Sequence, residues 1–468
     1  MLFNSFSFLI FFPTVCLLYF ALQNQKSRLI LLFLSSCFFY GFFIPKYLLI
    51  LFAVIGIDFY AGKKIEITED PLLRKTFLAV SLVANISILL FFKYANFLSE
   101  NLNSLAHVFH WNYSIPALQI VLPIGLSFHT FQSMSYIFEV YKKRTKAEKS
   151  LLHYSVYVLY FPQLVAGPIE RPQNIFPQLH QFHPLDYERT VSGLFLITQG
   201  LFRKVVIADS LAPLANTIFD HPSNFGMIPT LLGMIAFSFQ IYCDFAGYSD
   251  IARGVSRILG IELMLNFNKP YFATSISEFW RRWHISLSTW FRDYLYIPLG
   301  GNQKGNSRTY LNLFIVFTVS GLWHGANWTF IIWGALHGLF LLIEQIFLKP
   351  IGLSQWPKWL GKFYVYILVL FAWVFFRASD FSNAITVING LFRSPRLGLT
   401  QLKSFQIIEF FIFIPLMLTL EWADHKINLT KATRNLSLFP RWVIYWASVI
   451  IFLFTAQFNG NQFIYFQF

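Results

Sequence analysis

Between residues 240 and 340 the sequence sets its densest group of reactive side chains among apolar neighbours. Gln240-Ile-Tyr-Cys-Asp244-Phe-Ala-Gly247-Tyr248-Ser249-Asp250 breaks an apolar run with two carboxylates and an amide. Ser277-Glu278-Phe-Trp280-Arg-Arg-Trp283-His284-Ile-Ser286 follows, then Trp290-Phe-Arg292-Asp293-Tyr294-Leu-Tyr296-Ile-Pro298-Leu-Gly300-Gly301. A mostly apolar stretch then ends in Ser320-Gly321-Leu-Trp323-His324-Gly325-Ala-Asn327-Trp328, with His337 further on. Of these, His324 is best placed for chemistry. Gly321 and Gly325 let a substrate approach the backbone, and the indoles can wall a narrow channel. A neutral imidazole there can take a proton from a hydroxyl whose oxygen attacks an acyl thioester. The competing reading is a core histidine bonded between helices. For His284, the neighbouring Arg281, Arg282 and Trp283 equally describe an interfacial anchor, and Gly334, Ala335 and Gly338 suggest tight helix packing around His337. Asp244 and Asp250 read first as buried partners of Arg253 or Arg257.

The elements that position these groups must be membrane helices. Of 468 residues, 56% are hydrophobic and 12% charged, where soluble domains carry roughly a quarter charged. One soluble core cannot hide that much apolar surface. Apolar spans are expected near 3–22, 29–44, 47–62, 76–93, 119–140, 190–208, 226–243, 310–323, 327–347, 363–377, 406–422 and 441–458. The first reads as a retained helix rather than a signal peptide. The segment 151–168, short and broken by Pro162 and Pro168, is expected to re-enter from one side, buried in protein. The basic, amphipathic stretch 244–308 is expected at one interface. With the N-terminus outside, this threading puts 28 of the 36 Lys and Arg in cytoplasmic segments, as the charge rule requires.

Several function classes fall away. The net charge of +14 comes from loops between spans, so no nucleic-acid partner is expected; the partner is membrane lipid. Cys16, Cys37 and Cys243 form no metal or redox motif. His107, His110, His180 and His183 show no ligand spacing, so no metal site is expected. Neither a G-x-S-x-G elbow nor a Walker loop is present. No repeat or linker divides the chain. One domain is expected over 1–468, with N-terminal helices to about 145, a motif-bearing core over about 150–345, C-terminal helices over about 360–458 and a tail at 459–468.

Three motifs carry a resemblance: Glu278-Phe-Trp-Arg-Arg-Trp-His284, Leu295-Tyr-Ile-Pro-Leu-Gly-Gly301 and Gly321-Leu-Trp-His324-Gly. With Phe161-Pro-Gln-Leu-Val-Ala-Gly167-Pro-Ile-Glu170-Arg171 and Asp244–Asp250, they are similar to the membrane-bound O-acyltransferase family, in its alginate O-acetylase and peptidoglycan O-acetyltransferase branch. The resemblance covers most of the chain. It implies an all-α polytopic protein of about 11–12 transmembrane helices plus re-entrant and interfacial helices, arranged as a ring of tilted helices around a central tunnel. It also implies a catalytic His324 and a tunnel role for His284, with Trp323, Trp280, Asn327 and Asp250 expected to line the path. The tail Asn459-Gly-Asn-Gln-Phe463-Ile-Tyr465-Phe-Gln-Phe468 resembles the Phe-Ile-Tyr ending of the small partner in teichoic-acid D-alanylation. That likeness suggests Tyr465 as a transient acyl acceptor; without it, the tail reads as an aromatic belt.

The expected activity is transfer of acetyl from a cytoplasmic thioester, acetyl-CoA, across a bacterial plasma (inner) membrane. It would serve O-acetylation of an extracellular or cell-wall polysaccharide, most simply of alginate type. No permanently bound cofactor is expected. The resemblance also implies a separate extracytoplasmic Ser-His-Asp esterase-like partner that passes acetyl to the sugar. Two alternatives stand beside this: D-alanyl transfer to teichoic acid from a carrier-protein thioester, and a polysaccharide or lipid transporter without chemistry.

Overall fold

The computed structural model describes residues 1–111, 114–350, 352, 355–427, 432–433, 435–455 and 463–464. Their regular structure is helical, with no strand among the described residues. In chain order the helices used below are α1 (Phe6–Ala21), α2 (Gln25–Gly41), α3 (Tyr47–Ile67), α4 (Pro71–Val108), α5 (Leu126–Tyr141), α6 (Leu151–Leu159), α7 (Pro172–Leu179), α8 (Tyr187–Asp220) and α9 (Met227–Ile258). After α9 come α10 (Ile276–Arg282), α11 (Ile285–Phe291), α12 (Gly305–His324), α13 (Trp328–Leu348), α14 (Lys358–Arg377), α15 (Phe381–Gly390), α16 (Ser404–Ile427) and α17 (Leu438–Thr455).

Among the described residues, six helices are both long and apolar enough to cross a bilayer: α4, α8, α9, α13, α14 and α16. This is fewer than the twelve spans expected from hydropathy. The difference is physical: α1 is only 16 residues long, and α3 carries Asp58, Lys63, Lys64 and Glu66. Large apolar side chains nevertheless face outward on α1, α14 and α16, with Leu17 75%, Phe363 60% and Phe411 61% exposed. A water-facing surface would not be built this way; these faces meet lipid. The protein is a polytopic membrane protein.

Small residues set the helix contacts, as expected where lipid removes the hydrophobic drive between helices. At Gly200 of α8 an added Cβ would lie 2.5 Å from the Gly247 carbonyl oxygen of α9, and at Gly193 2.8 Å from that of Gly254. These two backbone contacts hold α8 and α9 together over two turns. Polar glue joins α3 to α4, where Asp58 accepts from Ser81 Oγ at 2.6 Å and Asn85 Nδ2 at 3.0 Å.

Two boundaries differ from expectation, and one segment matches it in being short and enclosed by protein. Helix α9 runs on to Ile258 and carries Asp244–Asp250 inside a transmembrane-length helix, not in an interfacial stretch. No proline interrupts it there, and its glycines face α8. Helix α5 starts at Leu126, after a non-helical approach through Pro116, Pro123 and Gly125 (φ 76°). The segment 151–168 is the nine-residue α6 followed by turns, buried throughout from Tyr154. There the Ser36 hydroxyl accepts from Phe161 N at 3.1 Å and Gln163 Nε2 donates to the Tyr157 carbonyl at 2.9 Å. Protein groups thus satisfy backbone that lipid could not.

Candidate active site

Helix α12 ends at His324 because Gly325 turns extended (φ −160°, ψ 150°). Its last turn lies against α13, where a Cβ on Gly321 would overlap the Phe330 carbonyl oxygen and meet the Gly334 Cα at 3.0 Å. The His324 ring is buried among Trp323, Trp333 and Phe376, with centroids 4.9, 5.1 and 5.3 Å away. The final carbonyls of a helix lack intrahelical partners. Here α4 supplies them from a π-helical turn, Leu90–Tyr94. Tyr94 Oη donates to the Leu322 carbonyl at 2.8 Å, and Lys93 Nζ to those of Trp323 and His324 at 2.7 and 2.8 Å. A cation at a helix C-terminus is favourable, and π-turns often mark functional positions.

His284 is fully buried, so it is not an interfacial anchor. Trp283 is buried with it, while Arg281 and Arg292 remain exposed. His284 stands before α11 in a left-handed conformation (φ 42°, ψ 55°). Asn266 fixes its ring. Asn266 Oδ1 accepts from Ser286 N at 3.2 Å and Ser286 Oγ at 2.9 Å, and lies 3.1 Å from His284 Nδ1. Because a backbone N–H points at that amide atom, it is an oxygen, and His284 Nδ1 must donate to it. The neutral ring then keeps its lone pair on Nε2.

The two imidazoles lie close together, 6.4 Å apart between centroids. Phe245 packs on His284 at 4.7 Å, and Phe128 lies 6.3 Å from His284 and 5.5 Å from Trp323. A small pocket of about 60 Å³ opens onto His324 between Lys93, Gly125, Phe128 and Trp323. A larger cavity, about 510 Å³, runs along α12 from Asn306 to Ser320 beside Trp280, Arg281 and Arg292. It ends one helical turn before His324.

A profile of the membrane-bound O-acyltransferase family matches residues 72–383, a range holding both histidines. The chain belongs to that family. A peptidoglycan O-acetyltransferase of Helicobacter pylori is 37% identical over 424 residues, covering 84% of this chain and 80% of the relative. A probable alginate O-acetylase of Pseudomonas aeruginosa is 39% identical over 412 residues, covering 86% and 77%. Similarity to a teichoic acid D-alanyltransferase of Streptococcus thermophilus is 30% over 292 residues, 56% of this chain and 69% of that protein. The protein is therefore an O-acyltransferase enzyme, and the reading as a transporter without chemistry falls.

Not every expected residue of this O-acyltransferase lies against the histidine pair. Trp323 does, with its ring 4.9 Å from that of His324 and 6.2 Å from that of His284, while Trp280 stacks edge-on to Trp333 at 5.7 Å and donates to His337 Nδ1 at 3.3 Å. Asn327 instead caps α13, accepting from Thr329 N at 3.0 Å and donating to the Ser379 carbonyl at 2.8 Å. Asp250 belongs to an ion cluster with Arg203, Arg253 and, through Arg203, Glu421, which ties α8, α9 and α16. Its pairing with Arg253 matches expectation; Arg257 instead pairs with Glu262, and Asp244 pairs with Lys204. Packing at Gly200–Gly247 brings that lysine within reach. Tyr465 lies outside the described residues, but Phe463 and Ile464 are buried.

Outside the spans, Glu278 braces the loop before α10. It accepts from Thr274 N and Oγ1 at 2.7 and 2.8 Å and pairs with Arg282 at 2.7 Å. Burial pushes its carboxyl up, but these hydrogen bonds and the guanidinium together hold it below the usual carboxylate range. Asn266 and Lys93 escaped the sequence reading. For Lys93 a signal existed: a lone ammonium within an apolar run is costly.

Proposed function

We propose that this enzyme moves acetyl from acetyl-CoA, arriving from the cytoplasm, to the outer face of a bacterial plasma membrane for O-acetylation of an alginate-type or cell-wall polysaccharide. The observation that carries the chemistry is the pair of buried imidazoles 6.4 Å apart, with a pocket opening onto His324. A hydroxyl oxygen between two such rings can lie at hydrogen-bond distance, roughly 2.6–3.2 Å, from a nitrogen on each. His324 takes the hydroxyl proton as the oxygen attacks the thioester carbonyl. The C–O bond forms, the C–S bond breaks, and the departing thiolate receives the proton. His284, locked by Asn266, lines the donor side. Exposed Arg281 and Arg292 on the larger cavity suit the phosphates of coenzyme A.

Tyr465 is the proposed first acceptor, its phenol oxygen holding acetyl until a separate Ser-His-Asp esterase-like protein passes it to the sugar. Acetyl rather than D-alanyl is favoured because the two O-acetylating relatives match over most of the chain, whereas the D-alanyltransferase matches over 56% of it. Single-turnover thioester cleavage by purified protein tests the reading: wild type should release free coenzyme A and His324→Ala should not. Equal release by both would remove His324 from the chemistry.

A further inference from the structure

Deep between α8 and α9, apart from the histidines, Lys204 Nζ lies 2.7 Å from Asp209 Oδ1 and 2.7 Å from Asp244 Oδ1. All three side chains are within 4% of complete burial, on helices long and apolar enough to cross the membrane. Ionisable groups at such depth are costly and usually have a task. Asp244 has a second partner. Its other oxygen, Oδ2, accepts the backbone N–H of Ile464 at 2.8 Å, from 220 residues away. The preceding residue, Phe463, lays its ring 4.8 Å from Lys204 Nζ and stands edge-on to Tyr248 at 4.7 Å. Tyr248 packs in turn on Phe3, also at 4.7 Å.

We infer that Lys204, Asp209, Asp244 and Tyr248 form a peptide-docking socket for the tail. Its ligand class is a short segment with an aromatic followed by an aliphatic residue. The ammonium holds the ring through its π face, and the carboxylate reads the next backbone N–H by a charge-assisted hydrogen bond. Asp209 holds Lys204 in place from the far side, so it positions rather than binds. Asp244 is next in sequence to Phe245, whose ring packs on His284 at 4.7 Å, so the socket lies one residue along α9 from a contact of the histidine pair. Its use in a Tyr465 relay rests on the reading above; its existence does not.

A test reads docking without reading transfer. In a background with Cys16, Cys37 and Cys243 replaced by alanine, Ile464→Cys in detergent-solubilised protein should react with a bulky maleimide at least tenfold more slowly than Lys304→Cys, an exposed reference. Adding Asp244→Leu or Lys204→Met should abolish that protection. Should those variants fail to fold, the tail side decides: protein truncated after residue 458 should bind a fluorescent synthetic peptide of residues 459–468 saturably. The peptide with Ile464→Pro, which lacks the N–H, should bind at least tenfold more weakly, while Ile464→Val should bind as well as the native peptide. Labelling of Ile464→Cys as fast as Lys304→Cys, or binding indifferent to the proline, overturns the socket. Normal acetylation by Tyr465→Phe would end the relay and leave the labelling result standing.

Discussion

A non-glycine residue in a left-handed backbone persists only where its surroundings over-determine it. At His284 the surroundings are Asn266, whose one amide oxygen gathers the Nδ1–H of His284 and both donors of Ser286. Asn266→Ala should therefore free the ring to change tautomer and lower transfer. The expected loss is at least 10-fold but short of the roughly 10²–10⁴-fold for losing a general base outright, with insertion and expression unchanged. Wild-type turnover by Asn266→Ala at matched protein level would show that the tautomer does not matter. Lys93 acts through the backbone rather than on substrate. Lys93→Ala should cut turnover, and added methylammonium or ethylammonium, small enough for the adjoining pocket, should restore part of it; rescue by neutral alcohols instead would deny the cation its part. His324 was legible because glycines and indoles flank a histidine closing an apolar helix. The burial of His284 was not, because Arg281, Arg282 and Trp283 describe a membrane interface as well as a core, and only the fold decides which way the ring turns.

Helices here are registered by glycine, and the fit is close beside His324. At Gly321 even a methyl group would overlap the Phe330 carbonyl, whereas at Gly56 nothing lies within 4 Å. Gly321→Ala should push α12 from α13 and displace His324, reducing transfer more than tenfold. Gly56→Ala should leave transfer unchanged and stabilise by about 0.4–1 kcal/mol, the usual gain where a helical glycine has room. Equal turnover of both variants would uncouple this contact from the active site. Hydropathy found the apolar segments but misjudged their ends. It closed a span at residue 243, although α9 continues to Ile258, because a carboxylate pair outweighs its neighbours in any window. Within the helix those carboxylates are paired, Asp244 with Lys204 and Asp250 with Arg203, and pairing across helices is invisible in one sequence.

Across the whole molecule, the proposed transfer brings the donor from one side and sends the acyl group out on the other, and α12 gives that proposal a length. Asn306 and Ser320, fourteen residues apart, both line the larger cavity, which therefore follows the helix for roughly 21 Å at 1.5 Å per residue. That is most of the roughly 30 Å hydrocarbon thickness. Exposed Arg281 and Arg292 lie on the same cavity, and His324 stands beyond its far end. If the basic segments are cytoplasmic, as 28 of the 36 Lys and Arg are in the threading set out above, then Asn306 marks the inner mouth and His324 the outer part of the path. Cysteines introduced at Lys146 and Asn306 should resist a membrane-impermeant thiol reagent in intact cells and react once the cells are opened. A cysteine at Asn459 should react in intact cells. The buried turns at 160–167 make the experiment decisive: were the segment 151–168 a full crossing, every later loop would change sides and Asn306 would face outward. Labelling of Asn306 from outside would therefore reverse the direction of the cavity and place donor entry on the face assigned here to the polysaccharide.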